Sequence, residues 1–355
     1  MNPILPLDYA APDVEAHAHK SNPNRMYLYC SNDRIDGGGM DPYQNVFSSE
    51  DLIHWTNHGI AFDARKEVTW TKQTSLAAID AIERDGRYYY YFTSSLNGVN
   101  MQFVAFSDRP EGPFTDPRPI YGTEFPSCGD PAIFVDDDGA AYLYWGQFSL
   151  RGGRLKDNMY ELEPETVNTM LLTEEEHGFH EGSSMRKRGA LYYLVYADTD
   201  RGFATCLSYA KSRSPLGPFT KGGVIIDNIN SDIAAWNNHG SLTCFQGRWY
   251  VAYHRPTLGY EMGGRRACLE PITFDENGDI KEVLMTTQGV EEPLSPFEWM
   301  DAYRACEFYR PGGGNTRPDI SGAFFWRQHI TGWRKNMADG ALKHANELGV
   351  RTAHM

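Results

Sequence analysis

Apolar residues in this chain gather in short runs bounded by turn residues, and no long stretch before residue 295 keeps an apolar period near 3.6. Five runs stand out: Met26-Tyr27-Leu28-Tyr29-Cys30, Tyr88-Tyr89-Tyr90-Tyr91-Phe92, Ala141-Tyr142-Leu143-Tyr144-Trp145, Leu191-Tyr192-Tyr193-Leu194-Val195-Tyr196 and Trp249-Tyr250-Val251-Ala252-Tyr253. Their β-branched and aromatic content and their flanking turn residues read as strands. The aromatic starts fall at 27, 88, 142, 192 and 249, at intervals of 61, 54, 50 and 57 residues. Asp85-Gly86, Asp138-Gly139, Arg188-Gly189 and Gln246-Gly247 precede the last four, and Asn22-Pro23-Asn24 precedes the first. Such dipeptides supply the positive φ that tight hairpins need.

A shorter apolar piece precedes most of these hairpins, as in Asp80-Ala81-Ile82-Glu83, Pro131-Ala132-Ile133-Phe134-Val135 and Gly240-Ser241-Leu242-Thr243-Cys244-Phe245. Further strand-like pieces follow, among them Asn45–Ser49, Phe103–Ser107 and Cys206–Ala210. A four-stranded unit repeated five times predicts an all-β, five-bladed β-propeller over residues 1–294. A sandwich, with shorter and less regular strand spacing, is the alternative. Beyond Ser295-Pro296 the pattern changes. Residues 295–355 read as a C-terminal extension with a Gly-rich loop and a short helix from Met337 to Leu348, too short for a second robust core.

Composition narrows the partners. The 355 residues are 41% hydrophobic and 13% aromatic, with 21 Tyr and 8 Trp, more rings than a core alone requires. Sugar rings present apolar C–H faces that stack on aromatic side chains, so a carbohydrate ligand fits this excess. A net charge of −14 opposes nucleic acid and anionic membranes. No run of 18 apolar residues reads as a membrane span. The start, Met1 to Asp8, lacks a basic segment followed by an apolar one, which predicts a cytoplasmic protein, or a secreted one from which a signal has been removed. Six cysteines lie far apart without a CxxC pair and read as scattered thiols.

Candidate chemistry sits where the chain enters each repeat. Asp13, Asp80, Asp130 and Glu181 each precede the hairpin strand of their own repeat by roughly 8 to 14 residues, and equivalent positions in a cyclic repeat point toward one axis. Crowded carboxyls raise one another's pKa, the condition for one to donate a proton while another activates water at a glycosidic bond. His239 holds the same entrance in the fifth repeat, as a substrate ligand, an orienting group, a holder of an axial cation or a core histidine. Arg265-Arg266 reads either as a site guanidinium or as a solvated pair. Asp136-Asp137-Asp138-Gly139 lacks the remaining spacing of a calcium loop and reads as a hairpin turn. The histidines form neither HExxH nor a zinc-spaced cluster.

Over roughly residues 2 to 293 the chain resembles glycoside hydrolase family 43, the five-bladed arabinofuranosidases and xylosidases. The resemblance rests on Ala11-Pro12-Asp13-Val14-Glu15, Gly129-Asp130-Pro131, His180-Glu181-Gly182-Ser183-Ser184, Asn238-His239-Gly240-Ser241 and Arg265-Arg266. It implies an inverting hydrolase of arabinoxylan-type plant cell-wall oligo- or polysaccharides. In that scheme Asp13 is the general base, Asp130 tunes and orients the acid, and Glu181 is the general acid. Asp80, His239 and Arg266, or else Arg265, bind substrate. It further implies that no cofactor is needed for the chemistry, with a structural Ca2+ near the axis beside His239. Val14 stands where the family has Pro, which makes Glu15 and Asp8 substitute bases, and Ala77-Ala78-Ile79-Asp80 replaces the family's Trp-Ala-Pro-Asp. These departures keep open a non-catalytic sugar-binding propeller derived from such an enzyme.

Overall fold

The computed structural model describes residues 2–6, 8–34, 39–126, 129–228, 237–256, 264–286 and 288–291. The C-terminal extension predicted for residues 295–355 lies outside them. Within these residues the chain forms five antiparallel sheets, each built by consecutive strands. The first holds β1 (Glu15–Ala18), β2 (Met26–Tyr29), β3 (Tyr43–Ser49) and β4 (Thr56–Asp63). The second holds β5 (Asp80–Arg84), β6 (Arg87–Leu96), β7 (Val99–Ser107) and β8 (Thr115–Ile120). β9 (Ala132–Val135), β10 (Ala141–Trp145), β11 (Ser149–Leu155) and β12 (Asn168–Thr173) make the third. The fourth is β13 (Phe179–Arg188), β14 (Leu191–Asp198), β15 (Cys206–Ser212) and β16 (Thr220–Asp227). The fifth has three strands, β17 (Ser241–Phe245), β18 (Arg248–Pro256) and β19 (Arg265–Ile272).

Each aromatic run is the second strand of its blade, paired across a tight turn to a first strand. At Asp85-Gly86 and Gln246-Gly247 both turn residues have positive φ, the mirror-image turn that matches strand twist. The first strands β1, β5, β9, β13 and β17 touch in cyclic order, β17 returning to β1, so the five sheets close around one axis. That is a five-bladed propeller. The Asp136–Gly139 turn is a hairpin turn, and its Asp136 braces blade four by accepting from Lys187 Nζ at 2.6 Å and Tyr192 Oη at 2.5 Å.

Both faces of a blade are apolar because each packs on a neighbour. Tyr29, Phe62, Tyr90 and Phe92 fill the space between blades one and two. Tyr91, Ile133, Leu143 and Trp145 do so between two and three, and Tyr144, Leu172, Met185 and Tyr196 between three and four. Tyr193, Tyr209, Val251 and Tyr253 join four to five. The last interface joins blade five to blade one through Leu28, Phe47, Ala252 and Leu269, with Ile4 and Leu5 from the N-terminal segment. That segment also covers the edge of β19. The Ile4 N–H donates to the Ala267 carbonyl at 3.0 Å, and the Asn2 side chain exchanges two hydrogen bonds with the Leu269 backbone. A three-stranded blade thereby avoids a bare edge. Among the described residues no helix is long and apolar enough to cross a membrane.

Candidate active site

Three blade entrances share one backbone device. Asp13, Ala78 and Asp130 have φ of 54°, 48° and 50°, each two residues before its blade's first strand. A left-handed residue with a side chain costs about 1–2 kcal/mol, so the surrounding fold must impose it. The same turn aims the same position at the same end of the axis. Blade two therefore offers Ala78 to the mouth, and Asp80 falls level with Glu15, the first residue of β1.

Glu181 reaches the mouth by another route. It lies inside β13, between two register shifts against β14. Such bulges insert an unpaired residue and re-aim a side chain. Gly182 completes the bulge at φ 60°, and a Cβ there would lie 2.9 Å from Cγ of His239. Only glycine meets both demands. The Gly182 N–H donates to Asp130 Oδ2 at 3.0 Å, which joins the bulge to the third entrance.

Asp13 is buried and heavily partnered. Arg265 Nη1 donates to its Oδ1 at 3.1 Å and Ser31 Oγ to its Oδ2 at 2.6 Å. His254 Nδ1 lies 3.5 Å and His239 Nδ1 4.0 Å from Oδ1. Burial pushes the carboxyl up, but Arg265 first, then His239 and the Ser31 hydrogen bond, outweigh it and hold its pKa at about 2. The Asp13 N–H donates to His254 Nδ1 at 3.1 Å, which leaves that ring's proton on Nε2. Burial first, and then the Arg265 charge, press the His254 pKa well down and keep the ring neutral.

Glu181 is driven the other way. Burial, then the carboxyls of Asp130 and Asp13, raise it to about 8, against the opposing pull of Arg265 and Gln147. Gln147 Nε2 donates to Glu181 Oε2 at 2.9 Å. Asp130 is raised as well, by burial and by Asp13, with His239 acting against them. At neutral pH one carboxyl of the set is ionised and another holds its proton. Pushing two neighbouring carboxyls apart in this way assigns one to acid and one to base work.

Two expected substrate ligands need correction. Asp80 is fully buried below the mouth, its Oδ1 2.7 Å from His17 Nε2 and its Oδ2 accepting from the Ile133 N–H at 2.8 Å. The strand start, not the left-handed entrance, sets its depth. Arg266 is not the basic residue on the site; Arg265 is. Successive residues of β19 face opposite ways. Arg265 turns to Asp13 and forks onto Asp33, with Nε–Oδ2 at 2.9 Å and Nη2–Oδ1 at 3.0 Å, while Arg266 Nη1 donates to the Gly264 carbonyl at 2.9 Å. Ser31, Asp33, Gln147 and His254 escaped the sequence reading. Ser31-Asn32-Asp33 follows β2 after Cys30 and Gly146-Gln147-Phe148 follows β10, so polar residues leaving the second strands were the signal for Ser31, Asp33 and Gln147, while His254 lies inside β18.

A second polar layer lies deeper. The side-chain ligand atoms of Glu15, His17 and Asp80 are within 4.8 Å of one another, the one group of three such residues close enough to share an ion among the described residues. His239, the expected ion ligand, is not in it. Arg186 lies against it: its Nη2 donates to Glu15 Oε2 at 2.9 Å and lies 3.3 Å from His17 Nε2.

The chain is similar to several known glycosidases. A xylosidase/arabinosidase of Humicola insolens is 31% identical over 79% of this chain and 98% of its own. A xylosidase/arabinosidase of Thermoclostridium stercorarium is 29% identical over 92% of this chain and 76% of its own. Among solved structures, a β-xylosidase/α-arabinofuranosidase from a compost microbial metagenome, in complex with xylotriose and calcium-free, superposes with a TM-score of 0.68 at 28% identity, over 79% of this chain and 97% of that one. The family model for glycosyl hydrolases family 43 matches residues 1–280, and with the propeller closed and its paired carboxyls in place, the chain belongs to that family.

Proposed function

We propose that Glu181 is the general acid and Asp13 the general base of a single-displacement hydrolysis at a glycosidic bond. The observation that carries this is the opposed pair of pKa values, about 8 for Glu181 and about 2 for Asp13, in one cluster linked by Arg265 and Asp130. The protonated Glu181 donates to the departing glycosidic oxygen. Asp13, ionised, takes a proton from the water that attacks the anomeric carbon from the opposite face, so configuration inverts. Asp130 keeps Glu181 protonated by its own charge and, through the Gly182 N–H, holds the bulge that carries it. Arg265 and His239 hold Asp13 ionised, and His239 opposes the rise at Asp130. Both proton transfers use side chains alone, so the chemistry calls for no cofactor.

The sugar at that bond is an α-L-arabinofuranosyl or β-D-xylosyl residue of arabinoxylan-type hemicellulose or its oligosaccharides. Relatives named as xylosidase/arabinosidase and as arabinoxylan arabinofuranohydrolase support this choice. The test is hydrolysis of 4-nitrophenyl α-L-arabinofuranoside, 4-nitrophenyl β-D-xylopyranoside and xylobiose by wild type and Glu181→Gln, with proton NMR following the first anomer. Turnover of xylobiose should fall about 10²–10⁴-fold in the variant, and less for the activated aryl glycosides, with the inverted anomer first. A variant as active as wild type on xylobiose would remove Glu181 from the acid role, and a retained first anomer would remove the single displacement.

A further inference from the structure

Below the mouth, four blades send polar groups into the axis. Glu15 and His17 come from β1, Asp80 from β5, and Ser184 and Arg186 from β13, while Ile133 of β9 contributes its N–H. Carboxylate and imidazole atoms within 4.8 Å of one another suit a divalent cation, whose bonds to oxygen and nitrogen run about 2.0–2.6 Å. The Arg186 guanidinium already lies against two of these side chains, Glu15 and His17. Arg186 Nη2 donates to Glu15 Oε2 at 2.9 Å and to the Ala16 carbonyl at 3.2 Å, and its Nη1 donates to the Met185 carbonyl at 2.8 Å. Ser184 Oγ donates to the same Glu15 oxygen at 3.0 Å. His17 Nε2 stands 2.7 Å from Asp80 Oδ1, so the nitrogen a metal would need is committed to a carboxylate.

We infer that Arg186 is the resident cation of this layer: its guanidinium occupies a ligand set of Glu15, His17 and Asp80 that takes a divalent metal only when the arginine is removed. An arginine keeps its charge at any working pH, and its planar fork reaches several acceptors at once. A metal entering beside it would meet a fixed like charge in buried surroundings, where screening is weak. The same fork ties blade four to blade one across the axis. This layer thus replaces an exchangeable ion with a covalently attached one.

The test is thermal unfolding of the full chain in EDTA, in millimolar CaCl2 and in millimolar MnCl2. Wild type should unfold at one temperature in all three, or show a metal response that survives Glu15→Gln and so arises elsewhere. Arg186→Ala should unfold about 5–10 °C lower in EDTA and recover part of the loss with Ca2+ or Mn2+. Arg186→Ala combined with Glu15→Gln should not recover. The inference is overturned by a wild-type metal response that Glu15→Gln abolishes, or by an Arg186→Ala protein that responds to neither ion. If Arg186→Ala does not fold, equilibrium dialysis of Mn2+ against wild type and Glu15→Gln decides. Equal uptake by the two upholds the guanidinium as the cation of this layer, and uptake that Glu15→Gln loses overturns it.

Discussion

At the scale of single residues, the site is a contest between burial and charge. Gln147 donates to Glu181, and a donor favours the ionised carboxyl. With Glu181 as the proposed general acid, activity should fall as pH rises through about 8. Gln147→Ala removes the donor, so the alkaline limb of kcat/KM should move to higher pH, read from the pH profile on a substrate with a poor leaving group. Arg265 does the opposite service for Asp13. Arg265→Met should move the acid limb up from about 2 and, by stranding Asp13 and Asp33, lower stability by about 3–5 kcal/mol, measured by denaturant unfolding. The motifs around Asp13, Asp130 and Glu181 were legible in the sequence, because Ala11-Pro12-Asp13, Gly129-Asp130-Pro131 and His180-Glu181-Gly182 are each contiguous. Gln147 and His254 were not, because their partners lie 34 and 241 residues away.

At the scale of elements, β13 carries the most consequential irregularity. Its two register shifts turn what reads as a plain strand entrance into the mount for Glu181. Gly182 holds that mount with a positive φ and no room for a Cβ against His239. Gly182→Ala should cost about 1–3 kcal/mol from backbone strain alone, and the displaced His239 should add a loss of turnover. Thermal unfolding and kcat together check it; a variant with wild-type values in both would show that the bulge tolerates a side chain. On β19 the two-residue period decides which of two adjacent arginines serves the site. Sequence supplies the pair but not the phase, since either residue could begin the strand.

At the scale of the whole molecule, ring closure depends on residues from opposite ends of the described chain. Asn2 caps β19 and donates to Glu270 Oε1 at 2.8 Å, and Thr286 donates to the same carboxyl. Burial lifts Glu270 to about 7, against Thr286, Arg255 and Tyr253. A carboxyl whose pKa is higher folded than unfolded binds more protons in the folded state. Its stabilising share is therefore complete below about 4.5 and is lost as pH rises through about 7. Melting temperature should decline over that window, and Glu270→Gln should flatten the decline. An unchanged slope would place the pH dependence in Glu181, Asp130 and Glu15, which are raised in the same direction.

The order of strands, the hairpins and the fivefold repeat follow from sequence, because side-chain alternation and turn chemistry act over a few residues and repeat with the blades. Family membership follows too, since the motifs around Asp13, Asp130 and Glu181 are contiguous. Depth along the axis does not. Asp80 and Asp13 look alike as entrance acids, yet a two-residue offset places one in the mouth and the other beside Glu15 and Arg186. Protonation does not follow either. Whether a carboxyl sits near 2 or near 8 depends on which charges the other blades bring within a few ångströms and on how much water they exclude, and only the closed ring decides that.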